Sequence, residues 1–135
     1  MAVFIDTGIF VAANNKSDKN YSRARDLMKE ALEGKYGIVY TSDYVIDEAI
    51  TTALARTRDH RIAMNTGSFI IDSPRIQKIY TDSDDFVAAW EKFQKFGKKP
   101  MSFTDCISLA HVDHRKIERI MSFDSEFDGL ALRIS

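Results

Sequence analysis

Short apolar runs alternate with longer stretches in which apolar residues recur every three or four positions, and the alternation spans the whole 135-residue chain. Val3 to Ile5 reads as a short buried strand, followed by a short helix from Thr7 to Ala13 capped by Thr7. Between Asp18 and Leu32, the positions Tyr21, Ala24, Leu27, Met28, Ala31 and Leu32 fall at helical spacing, with Gly34 as the stop. Tyr36 to Thr41 is rich in β-branched and aromatic residues and reads as the second strand. Ser42 or Asp43 caps a helix to about Arg58, with Val45, Ile46, Ala49, Ile50, Ala53 and Leu54 on one broad face. A further helix from Arg61 to Ile71 ends before Pro74, and Ile76 to Tyr80 is the third strand. The run Asp82-Ser83-Asp84-Asp85 opens a helix through Phe86, Ala89, Trp90, Phe93 and Phe96 that Gly97 closes. Asp105 begins the last helix, through Leu109 and Val112, and Glu118 to Phe123 and Leu130 to Ile134 complete the strands. Strands alternating with helices predict a three-layer α/β/α sandwich with a mainly parallel sheet of four to five strands, in a single domain over residues 1–135.

Composition narrows the function classes. Hydrophobic residues make up 44% and charged residues 29%, the balance of an ordinary soluble globule, and a net charge of -1 excludes a strongly basic coat for nucleic acid. A local basic groove is compatible with that balance. The single cysteine, Cys106, excludes an intrachain disulfide and a cysteine-based zinc site, and it reads as a small buried hydrophobe in a reduced compartment. The start, Met1-Ala2-Val3-Phe4-Ile5-Asp6, lacks the basic n-region of a signal peptide, and no apolar stretch approaches the roughly 20 residues needed to span a bilayer. A cytoplasmic protein without a membrane role is the expectation.

The chemistry resides in the acids. Asp6 follows the run Val3-Phe4-Ile5, and Asp124 follows Ile120-Met121-Ser122-Phe123. A carboxylate just past a buried strand sits at the rim of a sheet, where α/β folds place their sites. Asp105 stands at a helix start, where the helix dipole favours an anion. Carboxylates that meet repel one another unless a cation lies between them. Each also has a plainer role: Asp6 or Asp105 as a helix cap, Asp124 as a turn-former. Glu126 and Asp128 compete with Asp124, and Asp128 ranks second to it. On a helical wheel Glu48 lies opposite the Ile46/Ile50/Ala53 stripe, on a face that is ordinarily solvated, and periodicity does not separate it from Asp47.

Four segments, FIDTG at the start, VIDEAIT around Glu48, SFTDCISLA around Asp105 and MSFDSEFDGLALRI at the end, give the chain a resemblance to the PIN domain family. It is most similar to the small single-domain ribonuclease toxins of the VapC type, and the likeness covers essentially the whole chain. The resemblance implies that Asp6, Glu48, Asp105 and Asp124 are the acidic metal-site residues, with Thr7 and Ser122 as supporting hydroxyls. It alone selects Glu48 over Asp47. Carboxylates are hard ligands that suit Mg²⁺ or Mn²⁺, and such an ion activates water against a phosphodiester. The implied function is a metal-dependent endoribonuclease acting on RNA, the toxin paired with an antitoxin protein, and a homodimer. A housekeeping RNA-processing nuclease and a non-catalytic module that binds RNA or a partner are the alternatives. Gly8 departs from the Asn or Ser that these toxins often carry there. It also counts against an aspartyl phosphatase, which usually places a second Asp two residues after the first.

Basic residues cluster at Arg56, Arg58, His60 and Arg61, at Lys95, Lys98 and Lys99, and at His114, Arg115 and Lys116. Lys98 and Lys99, in the loop leading to Asp105, are the preferred substrate contacts. His111 and His114 lack a third nitrogen or sulfur ligand and read as exposed or packing residues. The stripe Phe86, Trp90, Phe93 and Phe96 reads as core, or on an outer helix as a partner surface.

Overall fold

The computed structural model describes residues 1–135 and holds a five-stranded, wholly parallel sheet in the order β3-β2-β1-β4-β5. The strands are β1 (Ala2–Ile5), β2 (Ile38–Ser42), β3 (Ile76–Ile79), β4 (Arg119–Met121) and β5 (Leu132–Ile134). The helices are α1 (Thr7–Ala13), α2 (Tyr21–Leu32), α3 (Asp43–Thr57), α4 (His60–Ile71), α5 (Ser83–Phe96) and α6 (Phe103–His114). The chain builds outward from β1 to β2 and β3, then returns past β1 to β4 and β5. Right-handed crossovers in opposite directions send helices to opposite faces, which is the predicted three-layer sandwich. Helix α1 packs on α2 and α3, α3 on α4, and α5 on α6. The central strand is therefore covered on both sides, and Val3, Phe4 and Ile5 are fully buried.

Several boundaries move for local reasons. Helix α2 starts at Tyr21 rather than Asp18, because the Asp18 carboxylate accepts from the Asn20 N–H at 2.8 Å and forms a turn. Gly34 ends that helix at φ +92°, as its sequence position predicts. Strand β2 begins two residues later than Tyr36. Gly37 turns the chain there at φ +80°, so close to the Met1 carbonyl that a Cβ would lie 2.1 Å from the oxygen. Thr7 does not cap α1: Asp6 holds the cap position, and its side chain makes no capping bond. Ser42 caps α3 by accepting from the Val45 N–H.

Of the aromatic stripe on α5, Phe96 packs against the core and the other three do not. Phe86, Trp90 and Phe93 remain 46%, 50% and 40% exposed, and their rings meet Phe103 edge-on at the start of α6. His111 is the opposite case, fully buried against Phe4. Arg115 reaches its Nδ1 at 3.1 Å, and Thr81 Oγ1 lies 3.0 Å from its Nε2 while donating to Asp43 at 2.7 Å. A neutral imidazole with its proton on Nε2 satisfies both neighbours, and burial lowers the His111 pKa accordingly. His114 Nδ1 meets the buried Asp85 carboxylate at 2.7 Å. Cys106 is a buried thiol whose pKa is raised by burial, as a packing residue should be.

Candidate active site

The strand order reverses between β1 and β4, and the crevice at the carboxyl ends of these two strands is where open α/β sheets bind ligands. Asp6 leaves β1 and remains tied to β4 by its N–H to the Met121 carbonyl at 2.9 Å. Asp124 leaves β4 and caps a short 3₁₀ turn, Ser125–Phe127, through its bond from the Glu126 N–H at 2.9 Å. Asp105 is the third residue of α6 rather than its first. It forms a capping box with Ser102, each side chain accepting from the other residue's N–H at 3.0 Å. Glu48 comes from the second turn of α3.

These acids, Asp6, Glu48, Asp105 and Asp124, line one cleft of about 470 Å³ together with Thr52 and Arg56. Thr7, Gly8, Ser102 and Phe123 complete much of its wall. Glu48 is half-buried while Asp47 is exposed. The wheel misled because α3 is covered on two sides. Val45, Ala49 and Ala53 form its most buried face, whereas Ile50 turns toward Gly67 of α4. Glu48, Thr52 and Arg56 flank the buried face at successive i, i+4 positions and reach the cleft.

Asp6 is 6% exposed and Asp105 9% exposed. Burial pushes the Asp6 carboxyl up to about 7, against the hydrogen bond from Ser122 and with the help of the Asp105 and Glu48 charges. Burial likewise raises the Asp105 pKa, and the charges of Asp124 and Glu48 add to it. Ser122 Oγ donates to Asp6 Oδ2 at 2.7 Å and accepts from the Asp124 N–H at 3.0 Å, so one hydroxyl links the two strand-end acids. Asp6 Oδ1 and Thr7 Oγ1 are the protein's two buried side-chain oxygens with no hydrogen-bond partner, and both belong to residues of this cleft. Such an unpartnered carboxylate oxygen is costly to bury without a ligand.

The donor set fits a hard divalent cation. The lining offers carboxylate and hydroxyl oxygens, with no histidine or cysteine. Asp6 Oδ1, Asp105 Oδ1, Asp124 Oδ2 and both Glu48 oxygens make no hydrogen bond within the chain. The acids are not drawn into a tight group that encloses an ion.

Other candidates lie elsewhere. Asp128 is exposed and paired with Arg133 Nε at 2.6 Å, outside the cleft lining. Lys98 and Lys99 do not line it either. Lys99 lies near Asp128, and its charge joins the Arg133 hydrogen bond in lowering the Asp128 pKa. Thr52 and Ser102 were not singled out from sequence as site residues, and Arg56 was named only within a basic cluster, behind Lys98 and Lys99. A larger cleft of about 670 Å³ is lined by Asp82, Asp84, Asp85, His114 and Arg115. Its buried acid is already satisfied by Arg115, His114 and the Asp82 N–H, so it shows no comparable vacancy for a ligand.

A PIN domain family model matches residues 3–132. The chain is 28% identical over 131 residues to a VapC ribonuclease of Archaeoglobus fulgidus, covering 94% of this chain and 80% of the relative. It is 27% identical over 128 residues to the 23S rRNA-specific endonuclease VapC20 of Mycobacterium tuberculosis, covering 94% and 92%. The crystal structure of that VapC20, a sarcin–ricin loop cleaving toxin, matches with a TM-score of 0.85 at 25% identity, over 96% of this chain and 95% of that one. VapBC2 from Rickettsia felis, bound to a DNA fragment from its promoter, shares the fold with a TM-score of 0.70 at 14% identity, over 99% and 98%.

Proposed function

This chain belongs to the PIN domain family, and on that premise we propose that it is a divalent-metal-dependent endoribonuclease, the toxin of a toxin–antitoxin pair. The observation that carries the reading is the convergence of Asp6, Glu48, Asp105 and Asp124, from separate segments of the chain, on one cleft that contains a buried carboxylate oxygen without a partner. Relatives that are ribonucleases across nearly their whole length support RNA as the substrate class. VapBC-type complexes among the structural neighbours support an antitoxin partner. The exposed aromatic face of α5 (Phe86, Trp90, Phe93) supports a homodimer surface. No helix is long and apolar enough to cross a membrane.

Asp6, Glu48, Asp105 and Asp124 would hold Mg²⁺ or Mn²⁺, which when bound supplies Lewis acidity toward a phosphate oxygen and acidifies water. The chain's own residues prepare the site. Ser122 occupies Asp6 Oδ2 and leaves Oδ1 free. The Ser102 and Glu126 N–H groups fix one oxygen each of Asp105 and Asp124, which orients the remaining oxygens without losing the charges. Glu48 makes no internal hydrogen bond, so both of its oxygens stay available to the cleft. Thr7 leaves its hydroxyl unbonded beside these acids.

The test is direct incubation of purified protein with a sarcin–ricin stem-loop RNA and with total ribosomal RNA. Discrete internal cuts are expected with Mg²⁺ or Mn²⁺, none with EDTA, and none of small phosphate esters under either condition. Intact RNA of both kinds at millimolar Mn²⁺ would count against a nuclease.

A further inference from the structure

We infer that Arg56, not the Lys98-Lys99 loop, is the cation of this site that grips an RNA backbone phosphate beside the one being cut; the inference rests on the nuclease reading above. Arg56 is the one Lys or Arg among the residues that line the acidic cleft. It stands on the same edge of α3 as Glu48 and Thr52, two helical turns from Glu48, or about 12 Å along the axis. The carboxylates thus occupy one end of a polar track and a guanidinium the other.

Arg56 is free for that task. The ion pairs of the protein engage Lys35, Lys92, His111, His114, Arg115, Arg119 and Arg133, and none involves Arg56. Its side chain is exposed. A planar guanidinium with two parallel N–H donors matches a phosphodiester better than an ammonium does. Arg58, His60 and Arg61 follow at the turn into α4, so positive charge continues past the cleft along the chain.

The competing role is local: a basic residue in the last turn of α3 favours the helix dipole. That role predicts a change in melting temperature and none in RNA binding. The experiment therefore compares wild type, Arg56→Ala and Arg56→Lys. Binding of a fluorescent stem-loop RNA is measured by anisotropy in EDTA over a salt series, alongside KM and kcat for cleavage in Mg²⁺. Arg56→Ala should weaken binding and raise KM on the order of tenfold, with a smaller change in kcat and an unchanged melting temperature. The slope of log K against log salt should shrink by about 0.7–0.9, the loss of one phosphate contact. Arg56→Lys should keep the slope and recover part of the affinity. Wild-type affinity, KM and salt slope in Arg56→Ala would overturn the inference while leaving the nuclease reading intact. Lost RNA binding in Arg56→Ala, with no cleavage by any variant, would keep the phosphate contact and sink the nuclease.

Discussion

Asp6→Asn is expected to lower RNA cleavage on the order of 10³-fold or more without unfolding the protein. A bound cation supplies several kcal/mol of transition-state stabilisation, and each 1.4 kcal/mol is a factor of ten in rate. Removing the buried anionic ligand should forfeit most of that. Stability should move the other way. The Asp6 pKa is 3.8 ordinarily and about 7 in the fold. The folded state therefore holds a proton that the unfolded state has released between those values, so metal-free stability falls as pH rises from about 4 to 7. The gap corresponds to roughly 4 kcal/mol, and asparagine removes it. Denaturant melts in EDTA at neutral pH should find Asp6→Asn at least as stable as wild type. Cleavage at the wild-type rate by a folded Asp6→Asn protein would remove Asp6 from the site.

Asp85→Ala should be the most damaging single change away from the cleft, at roughly 3–5 kcal/mol. Asp85 is 1% exposed and lies in the first turn of α5, where it completes a capping box with Asp82. It also accepts from Arg115 at 3.2 Å and meets His114 at 2.7 Å on α6. Burial opposes its ionisation, yet the Arg115 and His114 hydrogen bonds hold its carboxyl well below the usual range. Such a group contributes stability that is present above pH 4 and lost as pH falls toward its folded pKa, the opposite sense to Asp6. His111 adds a loss as pH falls below 6.5, because the fold keeps it neutral. Urea denaturation would measure the effect. A loss under about 1 kcal/mol would mean that the α5–α6 contact does not depend on this carboxylate.

The two sites also show where sequence stops informing. Asp6 and Asp124 were legible because strand ends are local features and the fold places its crevice there. Asp105 was legible as a helix-start acid, and its partner Ser102 was available in the S-x-x-D spacing of a capping box. Glu48 was opaque to periodicity, since a wheel gives faces and not what covers each one. Small residues at Ala49 and Ala53 let α3 pack closely on its neighbours, while Ile50 faced α4. The same limit left Arg56 undistinguished within its basic cluster, since its place in the cleft depends on how α3 turns toward the rest of the fold. It also left the α5 aromatics open between core and partner surface, because regular spacing describes a face and not what covers it. The Asp85 network needed α5 and α6 side by side before the two histidines had a meaning.

The central claim, that these acids form a divalent-metal site, is tested most directly by titrating Mn²⁺ into the metal-free protein in a calorimeter. Buffers of different ionisation enthalpy would be used at about pH 7 and about pH 9. Binding should release protons near pH 7, because burial raises the Asp6 and Asp105 carboxyls in the metal-free fold, and fewer near pH 9. Asp6→Asn should weaken the binding and reduce the proton release. No binding at millimolar Mn²⁺, or binding that Asp6→Asn leaves unchanged, would contradict the account.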